Sequence, residues 1–241
     1  MARRFSAWRA IVIAWQAFSY TLGALVIAFA VAQFYFYAHI LYWEHHAPAA
    51  TAFMERSLEA LQAKDPRAQL WHEWVPYERI SAHLKRAVVA AEDARFLDHD
   101  GFDWEMIQKA LERNERQGKV VAGASTISQQ LAKNLFLSAE RSWLRKGQEA
   151  IITWMLESTL SKRRILELYL NVAEWGDGVF GAQAAARTHF GVPASALTPE
   201  QAAWLAVVLP SPKRYPHGRV TAYLAGQMNT VLARMGAVQI P

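Results

Sequence analysis

A run of 34 residues without Asp, Glu, Lys or Arg dominates the N-terminal part of the chain, from Ala10 to Trp43. A helix needs only about 20 apolar residues to cross a bilayer. The run is too long for the apolar part of a cleavable signal peptide, and too long for a buried core helix, which is the alternative. Aromatic residues, which favour membrane–water interfaces, crowd its two ends: Trp8, Trp15, Phe34, Tyr35, Phe36, Tyr37, Tyr42 and Trp43. We therefore predict a transmembrane anchor over residues 10–43.

The charges on either side of this anchor predict its orientation. Arg3, Arg4 and Arg9 precede it, and Glu44 and His45 follow it. Basic flanks stay on the cytoplasmic side of a membrane, so residues 1–9 are predicted to be cytoplasmic and the rest of the chain to lie outside the cytoplasm. Residues 44–73 are predicted to form a juxtamembrane segment, and residues 74–241 are long enough for one domain with its own core.

Composition narrows the chemistry and the partners. The chain has no Cys, which excludes disulfides, thiolate metal sites and Cys nucleophiles. A net charge of +5 suits anionic partners such as lipid headgroups or a diphosphate. The basic residues are scattered rather than grouped in long blocks, so nucleic acid is not predicted as a partner.

Helical periodicity predicts a mainly α fold for the domain, because strand-like alternation is scarce. Apolar residues recur at helical spacing in four stretches, which contain Ile80, Leu84, Ala87 and Val88; Ile127, Leu131 and Leu135; Ile151, Ile152, Met155 and Leu156; and Ile165, Leu168 and Tyr169. Prolines divide the C-terminal part into short helices and loops: Pro193, Pro210, Pro212 and Pro216.

Glu92 is the first candidate for acid–base chemistry. It directly follows the apolar run Val88–Ala91, near the end of a predicted helix. Burial at that place, together with the like charge of Asp93, would raise its pKa toward the range that a general acid or base needs. His99 follows in a polar loop. An acidic pair on the surface at a helix end is the alternative.

Residues 123–137 predict a helix with a polar face suited to phosphate and sugar hydroxyls. Ser125 is the predicted N-cap, and Gly123 gives a flexible entry. The face opposite the apolar stripe carries four polar side chains: Gln129, Gln130, Lys133 and Asn134. Amide and ammonium donors near a helix N-terminus fit phosphate oxygens. An ordinary amphipathic helix is the alternative.

A third predicted helix places Arg145 four residues before Glu149, on the side of its apolar residues. This spacing predicts a half-buried ion pair, with Lys146 as a second cation beside it. A solvated pair on the surface is the alternative. Metalloprotease, phosphate-loop and Gly-x-Ser-x-Gly motifs do not occur in the sequence. No Ser stands three residues before a Lys, so a penicillin-sensitive acyl-transfer site has no nucleophile here.

Together and in this order, the segments resemble the motifs of glycosyltransferase family 51, the peptidoglycan polymerases, from Trp74 to Pro216. The first motif is matched by Glu92-Asp93-x-x-Phe96-x-x-His99-x-Gly101-x-Asp103. The second is matched by Gly123-x-Ser125-Thr126-Ile127-Ser128-Gln129-Gln130-x-x-Lys133-Asn134. The third and fourth are matched by Arg145-Lys146-x-x-Glu149 and by Ile165-Leu166-Glu167-x-Tyr169-Leu170-Asn171 with Gly176 and Gly181. One departure is Ala124, where many members carry a second Gly.

The resemblance implies a lysozyme-like, mainly α-helical domain with a membrane-proximal jaw. It implies lipid II as substrate, a disaccharide-pentapeptide on undecaprenyl diphosphate, which is polymerised into β-1,4-linked glycan by one inverting displacement. Because the chain ends soon after the match, a monofunctional enzyme without transpeptidase activity is expected. The implied location is the bacterial inner membrane, with the catalytic domain in the periplasm. The growing glycan strand, the membrane and other cell-wall synthesis or division proteins are the implied partners.

The resemblance also assigns roles to individual residues. Glu92 is expected to be the general base and Glu149 a second catalytic carboxylate, which orients the cations or helps to hold a divalent ion, Mg or Mn, at the diphosphate. The expected substrate-binding residues are Asp93, His99, Ser125, Gln129, Gln130, Lys133, Asn134, Arg145 and Lys146. No metal site built from protein ligands alone is expected. A lytic peptidoglycan-cleaving enzyme and a catalytically silent membrane scaffold remain as alternatives.

Overall fold

The computed structural model describes residues 2–119, 123–137, 140, 142–215 and 220–241, without the side chains of residues 2–7 and 10. The side chains of Arg3 and Arg4, and Pro216, therefore lie outside the described residues. The helices are α1 Ala2–Trp43, α2 Ala52–Gln62, α3 Ala82–Glu92, α4 Trp104–Gln117, α5 Ile127–Phe136, α6 Trp143–Thr159, α7 Lys162–Val172, α8 Ala182–Phe190, α9 Pro199–Val208 and α10 Ala222–Met235. Three short strands, β1 Trp71–His72, β2 Glu174–Gly176 and β3 Val179–Phe180, form one sheet in the order β1-β3-β2. The predicted mainly α fold is confirmed.

Helix α1 serves both as a membrane-spanning candidate and as an element of the domain. Residues Ile11–Trp43 are long and apolar enough to cross a bilayer. The last turns nevertheless pack on the domain, where Ile40 and Trp43 are buried. Gln33 and Gln148 of α6 exchange two side-chain hydrogen bonds of 3.0 and 2.9 Å. The predicted anchor over residues 10–43 therefore has an exposed part followed by a part that belongs to the domain.

Arg164, at the start of α7, holds the end of α1 in place. Its guanidinium donates to the carbonyl oxygens of Trp43, at 2.8 Å, and His46, at 2.6 Å. It also donates to Glu167 at 2.5 Å. Carbonyls at the end of a helix lack partners within the helix, so a charged donor satisfies them and fixes the direction in which the chain leaves α1.

The predicted juxtamembrane segment 44–73 is also part of the folded domain. Thr51 caps α2 by accepting a hydrogen bond from the Met54 amide, and Met54 is buried. Ser57 donates to Glu174 Oε1 at 3.0 Å, and β1 pairs with β3 in parallel. The predicted boundary at residue 74 therefore does not separate two structural units, because the apolar side of α2 has to be covered by the core.

The core brings two helix groups together. α3 packs against α9 and α10, whereas α5 packs against α2, α6 and α7. Because α5 is covered on several sides, even its polar residues Gln129 and Asn134 are buried. The C-terminal end of α3 and the N-terminal half of α5 meet between these groups, and the candidate site lies there.

Candidate active site

Glu92 is the last residue of α3, and its carboxylate faces α5. The apolar residues before it, Val88 to Ala90, are buried, so the end of α3 is drawn into the protein. Gln130 Nε2 donates to Glu92 Oε2 at 2.6 Å. Burial raises the pKa of Glu92, the Gln130 hydrogen bond and the charge of Lys133 oppose that rise, and Asp93 adds to it. A carboxylate with a raised pKa and one engaged oxygen is suited to accepting a proton.

Asp93 and His99 are engaged inside the protein. Asp93 Oδ2 accepts from the Ile127 amide at 3.0 Å, and Asp93 Oδ1 lies 2.9 Å from His99 Nε2. The other ring nitrogen of His99 accepts from the Gly101 amide at 3.2 Å. These side chains, 3% and 8% exposed, tie the loop after α3 to the start of α5. Direct contact with substrate stays a prediction for both, and the contacts present give them a structural task.

The start of α5 differs from the prediction. Thr126, not Ser125, is the N-cap, and it forms a capping box with Gln129. The Thr-x-x-Gln spacing was visible in the sequence and is the known signature of such a box. Gln129 therefore uses its side-chain oxygen on the Thr126 amide at 3.0 Å, while Ser125 is exposed at the edge of a cavity.

The predicted polar face of α5 is divided by its surroundings. Gln129 and Asn134 are buried, whereas Gln130 and Lys133 are partly exposed and face Glu92. A helical wheel of α5 cannot reveal this difference in burial, because it depends on which other helices cover each side of α5. Burial lowers the pKa of Lys133, and the charge of Glu149 is the largest influence opposing that shift.

Glu149 lies at the centre of a cationic cluster made of Lys133, Arg145 and Lys146. Its side chain is 5% exposed, more deeply buried than predicted, and the predicted pairing with Arg145 is confirmed at 2.7 Å. Lys146 forms a second ion pair with the same carboxylate. One buried carboxylate thus holds two cations of α6 in place and acts by its charge on Lys133 of α5, and the cluster keeps an excess of positive charge.

Two cavities meet at Glu92. The larger, of about 980 Å³, is lined mainly by α3, α9, α10 and the segment before α10, and includes Arg214 and Tyr215. The smaller, of about 240 Å³, includes Asp93 and Ser125. Arg234 of α10 borders both. Nothing in the sequence spacing of Arg214, Tyr215 or Arg234 connects them with Glu92, so none of the three was predicted as a site residue.

Substituting the two carboxylates with glutamine should change stability in opposite directions. Because burial raises the pKa of Glu92, the folded protein binds that proton more tightly than the unfolded chain, and stability falls as the pH rises through this range. Glu92→Gln should therefore raise the melting temperature by a few degrees at pH 8. The gain should vanish at acid pH, where Glu92 is protonated in both states.

Glu149→Gln is the matched control, because it removes a buried counter-charge from Arg145 and Lys146. Breaking such a buried pair costs about 3 kcal/mol, so its melting temperature should fall at every pH from 5 to 8. Melting curves of the detergent-solubilised protein measure both changes. A lower melting temperature for Glu92→Gln at pH 8 would contradict the raised pKa of Glu92.

The chain is similar to known proteins over most of its length. The sequence model described as "Transglycosylase" matches residues 57–236. The chain is 57% identical over 221 residues to a protein of Azoarcus sp., covering 90% of this chain and 95% of that protein. It is 56% identical over 220 residues to a protein of Aromatoleum aromaticum, covering 91% and 95%. Both relatives are named biosynthetic peptidoglycan transglycosylase. The chain belongs to the transglycosylase family and is a glycosyltransferase.

Proposed function

We propose that this glycosyltransferase polymerises lipid II into β-1,4-linked glycan strands and releases undecaprenyl diphosphate. The observation that carries the proposal is Glu92, a carboxylate with a raised pKa at the meeting point of two cavities. A cationic cluster lies on the neighbouring helices. The names of the relatives support peptidoglycan as the product.

In the proposed reaction, Glu92 removes the proton from the 4-hydroxyl of the acceptor sugar. The hydroxyl oxygen then attacks the anomeric carbon of the donor, and the bond from that carbon to the diphosphate breaks. One displacement inverts the α-linked donor into a β link. Gln130 occupies Oε2 of Glu92, and no described residue forms a hydrogen bond to Oε1, which is therefore the oxygen available to the acceptor.

The leaving diphosphate gains negative charge as the bond breaks, and fixed cations stabilise that charge. We assign this task to Lys133, Arg145 and Lys146, with Glu149 orienting the last two. Among the residues that the structure describes, no group of three or more His, Asp or Glu could hold a metal ion. A divalent cation at the diphosphate would thus be held mainly by phosphate oxygens, with Glu149 as the candidate protein ligand.

Glu92→Gln should abolish polymerisation of labelled lipid II by the purified protein. It keeps the shape of the side chain but removes the basic oxygen, and base catalysis contributes roughly 10²–10⁴-fold. Products separated by size measure the effect. A folded Glu92→Gln protein that polymerises at the parent rate would exclude Glu92 as the base. A parent protein that polymerises no lipid II in this assay would favour a scaffold role. Release of 1,6-anhydro sugars from existing polymer would favour the lytic alternative.

Lys133→Ala and Arg145→Ala should each lower turnover by about 10²-fold, because a lost contact to a developing anion costs a few kcal/mol. Arg145→Lys should restore little if the contact uses two guanidinium nitrogens. Arg67→Ala removes an exposed cation whose partner is also exposed, and it should retain parent activity. Turnover within twofold of the parent for both Ala variants would show that these cations are only structural. Chelation of divalent ions tests the metal in the same assay.

We further propose that the domain rests on the outer surface of the inner membrane. Trp143, Leu144 and Trp154 of α6 are 92%, 89% and 64% exposed. Trp143 and Trp154 are eleven residues apart, so they share one helix face, with Gly147 and Ala150 between them. The same helix is bonded to α1 through Gln148. An exposed apolar helix face beside a membrane-spanning helix fits the headgroup region of a bilayer.

The proposed orientation has the N-terminus in the cytoplasm and residue 241 in the periplasm, as the basic residues before the charge-free run 10–43 predict. A reporter that works only in the cytoplasm should be silent when fused after Pro241. A periplasmic reporter at the same position should be active. The opposite pair of results would reverse the orientation and would place the active site away from periplasmic lipid II.

A further inference from the structure

The side-chain amide of Gln130 bridges two groups. Its Nε2 donates to Glu92 Oε2 at 2.6 Å, and its Oε1 accepts from the Tyr169 hydroxyl at 2.9 Å. The three residues come from three helices, α3, α5 and α7. Tyr169 is 1% exposed, and no step of the proposed reaction uses it. The chain of hydrogen bonds therefore runs from the core to the candidate base.

The order of donors along this chain has a physical reason. The two ends of an amide have nearly the same shape, so only its partners determine which end points where. An ionised carboxylate accepts hydrogen bonds and would repel the amide oxygen. Burial raises the pKa of Tyr169 well above its ordinary value, and the charges of Glu92 and Asp93 add to that rise. Tyr169 therefore stays protonated at working pH, and its hydroxyl donates a hydrogen bond to Gln130 Oε1.

Other groups around Glu92 do not replace this contact. Asp93, on the same segment, uses both carboxylate oxygens on His99 and the α5 amide. Lys133 of α5 influences Glu92 by charge, but it also faces Glu149. From α10, Arg234 borders both cavities, and α9 contributes Ala206 and Val207, which do not titrate. Within the described part of the chain, Gln130 forms the only hydrogen bond to the Glu92 carboxylate.

We propose that Tyr169 is a positioning residue for the transfer reaction, which acts through Gln130 to hold Glu92 Oε2 and leave Oε1 directed to the acceptor hydroxyl. The proposal rests on Glu92 being the base. Hydrogen bonding to the charged form of a carboxylic acid favours that form. Tyr169 and Gln130 together thus keep Glu92 ionised in a buried place and fix the direction of its reactive oxygen.

The test is the pH dependence of lipid II polymerisation by the full-length Tyr169→Phe protein. The variant keeps the ring but removes the donor to Gln130, so the amide can turn. The acid limb of the rate profile, which reports protonation of the base, should move up by about one pH unit. Turnover on the plateau should fall by about fivefold to tenfold, because the base is less well oriented.

Tyr77→Phe is the matched control. Tyr77 is also a buried tyrosine, but its hydroxyl donates to the carbonyl oxygen of Pro241 at 2.5 Å and not toward Glu92. Its loss should lower the melting temperature without moving the acid limb. If Tyr169→Phe shows only a lower melting temperature and its profile overlays that of the parent, Tyr169 has a structural role and the proposal is wrong.

Gln130→Met provides a second route, in case Tyr169→Phe does not fold. It removes the bridge from a partly exposed position, so it should move the acid limb at least as far as Tyr169→Phe does. An unmoved limb in a folded Gln130→Met protein would overturn the proposal. Glu92→Gln distinguishes failure of the positioning role from failure of the base assignment. If Glu92→Gln is inactive while the acid limb of Tyr169→Phe and Gln130→Met does not move, only the positioning role fails. If Glu92→Gln is fully active, the base assignment itself fails.

Discussion

The candidate site depends on the two hydrogen bonds of Asp93. This carboxylate is at the C-terminal end of α3, and it accepts the Ile127 amide at the N-terminal end of α5, 34 residues later in the chain. A negative charge is stabilised where the free amides of a helix begin. With the two helix ends joined, Glu92 lies within hydrogen-bonding distance of Gln130. Asp93, with its own oxygens turned into the protein, therefore fixes the position of Glu92, the proposed base.

The two carboxylates of the site, partly buried Glu92 and buried Glu149, are in opposite electrostatic situations. Glu149 is surrounded by cations and forms ion pairs with Arg145 and Lys146. Glu92 accepts one hydrogen bond, from the side-chain amide of Gln130. The cation near it is Lys133, and burial lowers the pKa of that lysine. A well-paired carboxylate is a poor proton acceptor, and a poorly compensated one is a good acceptor. The surroundings of each carboxylate therefore fit the proposed organising role of Glu149 and the proposed proton-accepting role of Glu92.

The membrane helix is joined to the domain through the same helix that supplies Tyr169. Arg164 at the start of α7 binds the last carbonyls of α1, and Tyr169 lies five residues further along α7. α6 is joined to α1 as well, through the Gln33–Gln148 pair. The helices that surround the cationic cluster and Glu92 are thus held at a set place relative to α1. This arrangement suits the proposed lipid-linked substrate, whose diphosphate would lie at the membrane surface.

The sequence by itself determined the membrane-spanning candidate, the helical class of the fold and the candidate site residues, because charge-free length, periodicity and short-range spacing are local properties. The Arg145–Glu149 pair was predicted for the same reason, since a spacing of four residues brings two side chains together on one face of a helix. Only the tertiary structure decided that α2 and the end of α1 belong to the domain and that Gln130 reaches Glu92. The tertiary structure also decided that Arg234 borders both cavities at Glu92. Those facts depend on which elements cover each side of a helix, and burial by distant segments has no local signature in a single sequence.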